Sequence, residues 1–189
     1  MEKYPSKTRA RLMEDTTSIR TVIACPGGGH IVTLGFPGLA FDIQGDAYID
    51  PERLEATVSA PALSDCSIFV VLVERDEVPP QAWQLLQGAA EARSIRLVHL
   101  PIPDYQVPDQ AFMTAWRNMD GDLTGALTAG GTVALACHYG AGRSGTIAAG
   151  MLIERGYPLD RAIAVIRSGF SESIESEMQL EWLRRIAQE

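Results

Sequence analysis

Cys137 and Arg143 stand six positions apart, with His138, Tyr139, Gly140, Ala141 and Gly142 between them and Ser144 directly after. Residues of these types in this order can attack and hold an oxyanion. Glycine lets a loop curl with φ > 0, so that successive backbone N–H groups point inward as a nest. Arginine adds a planar, two-pronged donor that matches a phosphoryl group. A cysteine facing those amides and that guanidinium is stabilised as a thiolate, the form that acts as a nucleophile. The chemistry in reach is displacement at phosphorus. Cys137 would attack, Arg143 and the amides of residues 138–143 would hold the oxygens, and Ser144 would donate a hydrogen bond to the departing sulfur.

Such a loop works only between a strand and a helix, because the helix N-terminus adds partial positive charge where the anion sits. The apolar run Thr132-Val133-Ala134-Leu135-Ala136 precedes the loop, and a helix-like run from Ile147 to Arg155 follows it. The bland alternative is a small core hydrophobe ending a strand, beside a glycine turn of a kind common in α/β folds. Spacing, glycines, hydroxyl and flanking elements together argue against it. A Gly-Lys-Ser/Thr nucleotide loop is excluded because no lysine precedes Ser144, and the glycines at 140, 142 and 145 do not fit a dinucleotide fingerprint.

Cleaving a phosphate ester leaves an alkoxide or phenoxide unless a proton is delivered, so a carboxylic acid is needed on an adjacent loop. Asp104 is the candidate. It lies in Pro101-Ile102-Pro103-Asp104-Tyr105-Gln106-Val107-Pro108, a proline-stiffened segment directly after a predicted strand. The competing reading is an ordinary turn-forming aspartate. Asp109 is the second candidate acid, although it opens a helix and suits an N-cap.

The elements that must carry these residues are legible from pattern. Thr21–Cys25 and Ile31–Phe36 read as strands joined by Pro26-Gly27-Gly28-Gly29 in a hairpin, after an N-terminal arm over residues 1–19. Asp50-Pro51-Glu52 starts a helix that ends before Pro61. Ser67–Val73 is a continuous β-branched run, as in a central parallel strand. A helix over 80–92, a strand over 96–101 and a helix over 109–127 follow. After the cysteine loop come helices near 143–155, 158–168 and 174–188. Alternating strands and helices predict an α/β fold, a central, mostly parallel sheet with helices on both faces. Ligands of such sheets sit at the carboxyl ends of the strands, where the Cys137 and Asp104 loops can meet.

A chain of 189 residues suits a single domain over residues 20–189. The net charge of −8 argues against nucleic acid or an anionic membrane surface as partner. No run of 18 apolar residues suggests a membrane span. The three cysteines have no paired or metal-ligand spacing, so no metal or cofactor is expected, and a reducing, cytoplasmic setting fits a thiolate enzyme. Cys25 and Cys66 read as buried bystanders, with a protective disulfide to Cys137 as the alternative. His30 and His99 have no partner spacing.

The Cys-x5-Arg-Ser loop resembles the signature of the cysteine-dependent protein tyrosine and dual-specificity phosphatases, and it is most similar to the cyclin-dependent kinase inhibitor 3 (kinase-associated phosphatase) type. The resemblance spans about residues 20 to 187 and is strong from Leu100 onward. It implies a protein tyrosine phosphatase-like fold and hydrolysis of phosphotyrosine in a protein or peptide, with phosphoserine and phosphothreonine also in range. Asp104 takes the place of the general acid. The segment Ile174-Glu175-Ser176-Glu177-Met178-Gln179 resembles the part of the family that brings a glutamine to the site, which makes Gln179 a water-orienting candidate against a default of a solvated helix face. One departure stands out. The family has histidine before the cysteine, where it helps to order the loop, and this chain has Ala136. The alternatives are a phosphatase for a small or lipid phosphate and a weakly active phosphate-binding module. The loop lacks the lysines of lipid-specific relatives. Arsenate reductases share Cys-x5-Arg but place the cysteine near the N-terminus.

Overall fold

Strand β7 (Thr132–Cys137) lies at the centre of a five-stranded sheet of order β1-β2-β7-β5-β6. The structure is a computed structural model and describes residues 16–188. Most of the expected N-terminal arm lies outside the described residues, while Ser18 is buried and β1 begins at Ile19. β1 (Ile19–Ala24) and β2 (His30–Gly35) form the expected antiparallel hairpin, and β2, β7, β5 (Cys66–Val71) and β6 (Arg96–His99) run parallel. The sheet is mostly parallel, as its alternation with helices requires.

Successive strand residues point to opposite faces, and here both faces are apolar. Ile68, Val70, Val133 and Leu135 pack on one side against α3 (Gln110–Thr128), α4 (Gly142–Glu154), α5 (Leu159–Gly169) and α6 (Glu177–Ile186). Phe69, Val71, Ala134 and Ala136 pack on the other side, against α1 (Pro51–Val58) and α2 (Ala82–Glu91). A two-stranded unit, β3 (Leu39–Phe41) with β4 (Ala47–Ile49), closes the second face through Leu39 and Ile49. Its strands have only three residues each, too short to leave a periodic signal, and the sequence reading misses them.

Caps explain where several helices start. Asp50 accepts from the Glu52 and Arg53 amides ahead of α1, and Asp109 accepts from the Phe112 amide at 2.7 Å ahead of α3. Asp109 is therefore a cap. The strand ladder continues past β5 and β6 into the loops above them. The Leu72 N–H donates to Ala136 O, Leu100 N–H to Val71 O, and Ile102 N–H to Leu72 O at 2.9 Å. These bonds hold the segment before Asp104 against the strand that delivers Cys137.

Candidate active site

Cys137 ends β7 and is 3% exposed, with its sulfur at the bottom of a cavity of about 250 Å³. Asp104, Tyr105, His138, Tyr139, Arg143 and Glu175 form the rest of the lining. The Gly140 N–H donates to Cys137 Sγ at 3.1 Å, and Ser144 Oγ lies 3.4 Å from the same sulfur. Gly140 has φ 95°, and a side chain there would strike the Gly35 backbone, so only glycine aims this amide at the sulfur. Ala136 is fully buried in the opposite core, on the face of β7 away from Cys137. Arg20 contacts the loop, its Nε donating to Tyr139 O at 2.9 Å while its guanidinium lies over the Tyr139 and Phe170 rings.

Arg143 is 2% exposed, and both terminal nitrogens of its planar group have partners. Nη1 and Nη2 donate to the two carboxylate oxygens of Glu77 at 2.6 Å each, and Nη1 also donates to Ile102 O at 2.9 Å. Nη2 lies 3.2 Å from Asp104 Oδ1. Burial works against the guanidinium's charge, but the Glu77 hydrogen bonds and the negative groups around it reverse this, and the net effect holds Arg143 more firmly protonated than usual. The bidentate carboxylate fixes the fork's orientation. Glu77 sits on a 3-10 turn (Arg75–Glu77) above the carboxyl end of β5, 66 residues from its partner.

Asp104 reaches this group from the loop after β6, as expected. Its side chain is 58% exposed, so the loop does not enclose it as its apolar, proline-rich composition suggests. The turn that carries it has the Gln106 N–H bonded to Pro103 O, and Tyr105 takes a left-handed φ of 58°. Ser176 Oγ donates to Tyr105 O at 3.1 Å, which ties the acid loop to the segment before α6.

Gln179 lies on α6, but it is wholly buried and not on a solvated face. Its Oε1 accepts from the Glu175 and Ser176 amides, while Nε2 has no hydrogen-bond partner and points toward Gly142. His138 sits against the Phe41 ring at the rim. His99 is occupied elsewhere, with Nε2 bonded to Val73 O and its ring against Trp83, and His30 is exposed at the start of β2.

The protective disulfide is ruled out by position. Cys66 pairs with Thr132, five residues before Cys137 along β7, which at ~3.3 Å per residue is about 16 Å, whereas a disulfide needs Cα atoms within ~7 Å. Cys25 follows Ala24, whose partner His30 also pairs with Thr132, so it lies at that same far end. Both are buried free thiols, as read from the sequence.

Glu77, Glu175 and Arg20 escape the sequence reading. Glu77 hides in the charged run Glu74-Arg75-Asp76-Glu77, which reads as a solvated turn. Its position just beyond a central parallel strand is the signal that could have found it.

The chain is similar to a group of solved phosphatase structures. With kinase associated phosphatase, solved with serine at its catalytic-site cysteine, it shares 20% identity at a TM-score of 0.67, covering 89% of this chain and 94% of that one. With the active form of Tk-PTP the values are 23% and 0.61, covering 90% and 97%. With PTPMT1 in complex with PI(5)P they are 16% and 0.59, covering 84% and 90%. No protein-family model matches the chain, and no curated protein does. The fold is that of the protein tyrosine and dual-specificity phosphatases, and kinase associated phosphatase is among the structures that share it.

Proposed function

We propose that the chain is a cysteine-dependent phosphomonoester phosphatase acting on phosphotyrosine in proteins or peptides, with phosphoserine and phosphothreonine as further substrates. The observation that carries this reading is the Cys137 sulfur. It accepts the Gly140 amide, stands beside Ser144, and shares its cavity with a guanidinium that Glu77 holds in one orientation.

In the first step the Cys137 thiolate attacks phosphorus. An S–P bond forms, the P–O bond to the leaving group breaks, and Asp104 passes its proton to the leaving oxygen. Arg143 and the loop amides carry the charge that spreads over the three remaining oxygens. In the second step water attacks the phospho-cysteine, Asp104 takes the water's proton, and the S–P bond breaks. The departing sulfur is received by Ser144 Oγ–H and the Gly140 N–H, and the Nε2 of Gln179 orients the water. Arriving phosphate competes with Asp104 for Nη2 of Arg143, which frees the acid as substrate binds.

The rings of Tyr105, His138 and Tyr139 wall the cavity and suit an aryl phosphate. On this reading residues 20–189 are the phosphatase domain, and the buried Ser18 and the strand residue Ile19 belong to it as well. The enzyme works in the reducing cytoplasm without metal or cofactor, and binds neither nucleic acid nor membrane. The likeness to a structure solved with PI(5)P favours a second reading, a lipid or small-molecule phosphate. Three carboxylates at the site, Glu77, Asp104 and Glu175, weigh against a ligand with several phosphates. Purified protein offered an aryl phosphate, phosphotyrosine and phosphothreonine peptides, phosphoinositides and nucleotides decides between them. Fastest release from phosphotyrosine peptides is expected. Preference for a phosphoinositide selects the second reading, and binding of the aryl phosphate without turnover makes the chain a binding module.

A further inference from the structure

Glu175 is the one acidic group of the cavity that the proposed reaction leaves without work. It enters from the segment between α5 and α6, and its carboxylate lies against the N-terminus of α4 at Gly142, whose amide favours its charged form. Contact is so close that a side chain on Gly142 would collide with Glu175 Oε2. The buried, unpartnered Nε2 of Gln179 points at the same place. An amide at a helix N-terminus beside an unpaired side-chain donor is a seat for an oxyanion oxygen, and here a carboxylate of the protein lies against it.

The backbone does not leave this to chance. Ile174 is held at a left-handed φ of 63°, is buried, and donates its N–H to Ala141 O at 3.3 Å. Arg167 clamps the carbonyls of Ser173 and Ile174 at 3.0 and 3.1 Å, and the Glu175 N–H is bound by Gln179 Oε1 at 2.8 Å. A β-branched residue in the left-handed region is strained, and such strain persists only where its surroundings over-determine it.

We propose that Glu175 is a built-in competitor for the oxyanion seat, so that a phosphoryl oxygen reaches the Gly142 amide only when Glu175 swings out or takes up a proton. This rests on the reading of the loop as a phosphate cradle. It makes Glu175 the residue that sets how tightly the site holds oxyanions. Burial, and then the charge of Asp104, push the Glu175 carboxyl above the usual carboxylate range, with the Gly142 amide and Arg143 opposing. Below that raised pKa the side chain is neutral and no longer competes as an anion, so oxyanion affinity rises as pH falls through it. The other groups facing it are Glu172 on its own segment and Cys137, His138 and Tyr105 around the cavity. They are present in wild type and variant alike, and a comparison of the two isolates Glu175.

Sulfate is the probe, because its charge is constant over the range of interest. Its Kd is measured by calorimetry over a pH range that starts near the ordinary glutamate pKa of about 4.3 and ends at about pH 8. Glu175→Ala should bind sulfate about tenfold more tightly than wild type at the upper end, the worth of one charge-assisted hydrogen bond released. The gap should close at the lower end. Glu175→Gln, which keeps the shape without the charge, should lose the part of the pH dependence that wild type shows. Equal Kd values for wild type and Glu175→Ala across the range, or weaker binding by the variant, overturn the competitor role. Arg143→Ala is the control for the cradle itself. Its loss of sulfate binding is expected, and retained binding would remove the cradle and this inference together.

Discussion

At the amino end of the sheet Cys66 begins β5, and Cys25 runs from β1 into three successive glycines; at the carboxyl end Cys137 closes β7 into a loop with glycines at 140 and 142. All three thiols are buried and free. The hydrogen bonding around them is of opposite sense. Cys66 Sγ donates to Ile68 O at 3.4 Å, an arrangement that needs the thiol proton, whereas Cys137 Sγ accepts from the Gly140 N–H. Burial pushes the Cys66 thiol up to about 12. The glycines of residues 27–29 turn a hairpin with no helix behind them, and those of the second loop open α4. A cysteine beside glycines is thus not yet a nucleophile. Amides, a helix terminus and an oriented guanidinium have to face it.

The harshest way to break this comparison is to exchange the sulfurs for oxygen one at a time. Cys137→Ser should lower turnover of an aryl phosphate on the order of 10⁴-fold or more, because an alcohol in the same place is not ionised. Cys66→Ser should leave the rate per folded molecule within about twofold, since it lies at the far end of β7. Steady-state rates normalised to folded protein check both. Substantial turnover by Cys137→Ser would remove the two ends' contrast altogether.

Next in size is the acid that only the carboxyl end possesses. Asp104→Asn should cost on the order of 10²–10⁴ in kcat/KM with phenyl phosphate, the usual worth of positioned proton transfer. With a nitrated phenol as leaving group, which departs without a proton, the loss should be small. An equal loss on both substrates would mean that Asp104 serves Arg143 as a structural partner at 3.2 Å and does not donate a proton.

The same contrast explains which parts of the molecule are legible in the sequence. Cys137, Ser144 and Arg143 lie within eight residues, and the strand and helix that serve them adjoin in the chain. Local spacing therefore carries the loop, the hairpin and the caps at Asp50 and Asp109. Asp104 is legible because prolines mark its loop and the parallel sheet brings strand ends together. Glu77, Arg20 and Glu175 act across 66, 119 and 33 positions respectively, with Arg20 and Glu77 counted to the groups they bond and Glu175 to Gly142. A charged residue in a charged run has no periodicity to betray a partner that far away. Gln179 is legible as a position but not in its environment, because a lone glutamine on an amphipathic helix gives no sign that it faces a buried cavity. The β3–β4 unit fails for want of length.

The smallest effect sharpens the amino end by itself, through stability and not turnover. The Cys66 thiol rises from an ordinary 9.0 to about 12, with burial as the main cause. The unfolded chain therefore loses this proton at lower pH than the folded one. Below 9 both states hold the proton and folding gains its full stability; between 9 and 12 the unfolded state is favoured progressively as pH rises. The slope from this group alone is at most about 1.4 kcal/mol per pH unit, one proton's worth. Cys66→Ala removes it, at the cost of a small cavity that is the same at every pH. Urea unfolding at about pH 8 and about pH 10 measures both proteins, and the wild type should lose more stability between the two than the variant by roughly 1.4 kcal/mol, the slope integrated across an unfolded pKa at the middle of the interval. Tyrosine and lysine ionisation enters both proteins equally and cancels. Identical losses would mean that the buried thiol at the amino end ionises as easily as an exposed one, and the opposition between the two ends would then rest on Arg143 and α4 alone.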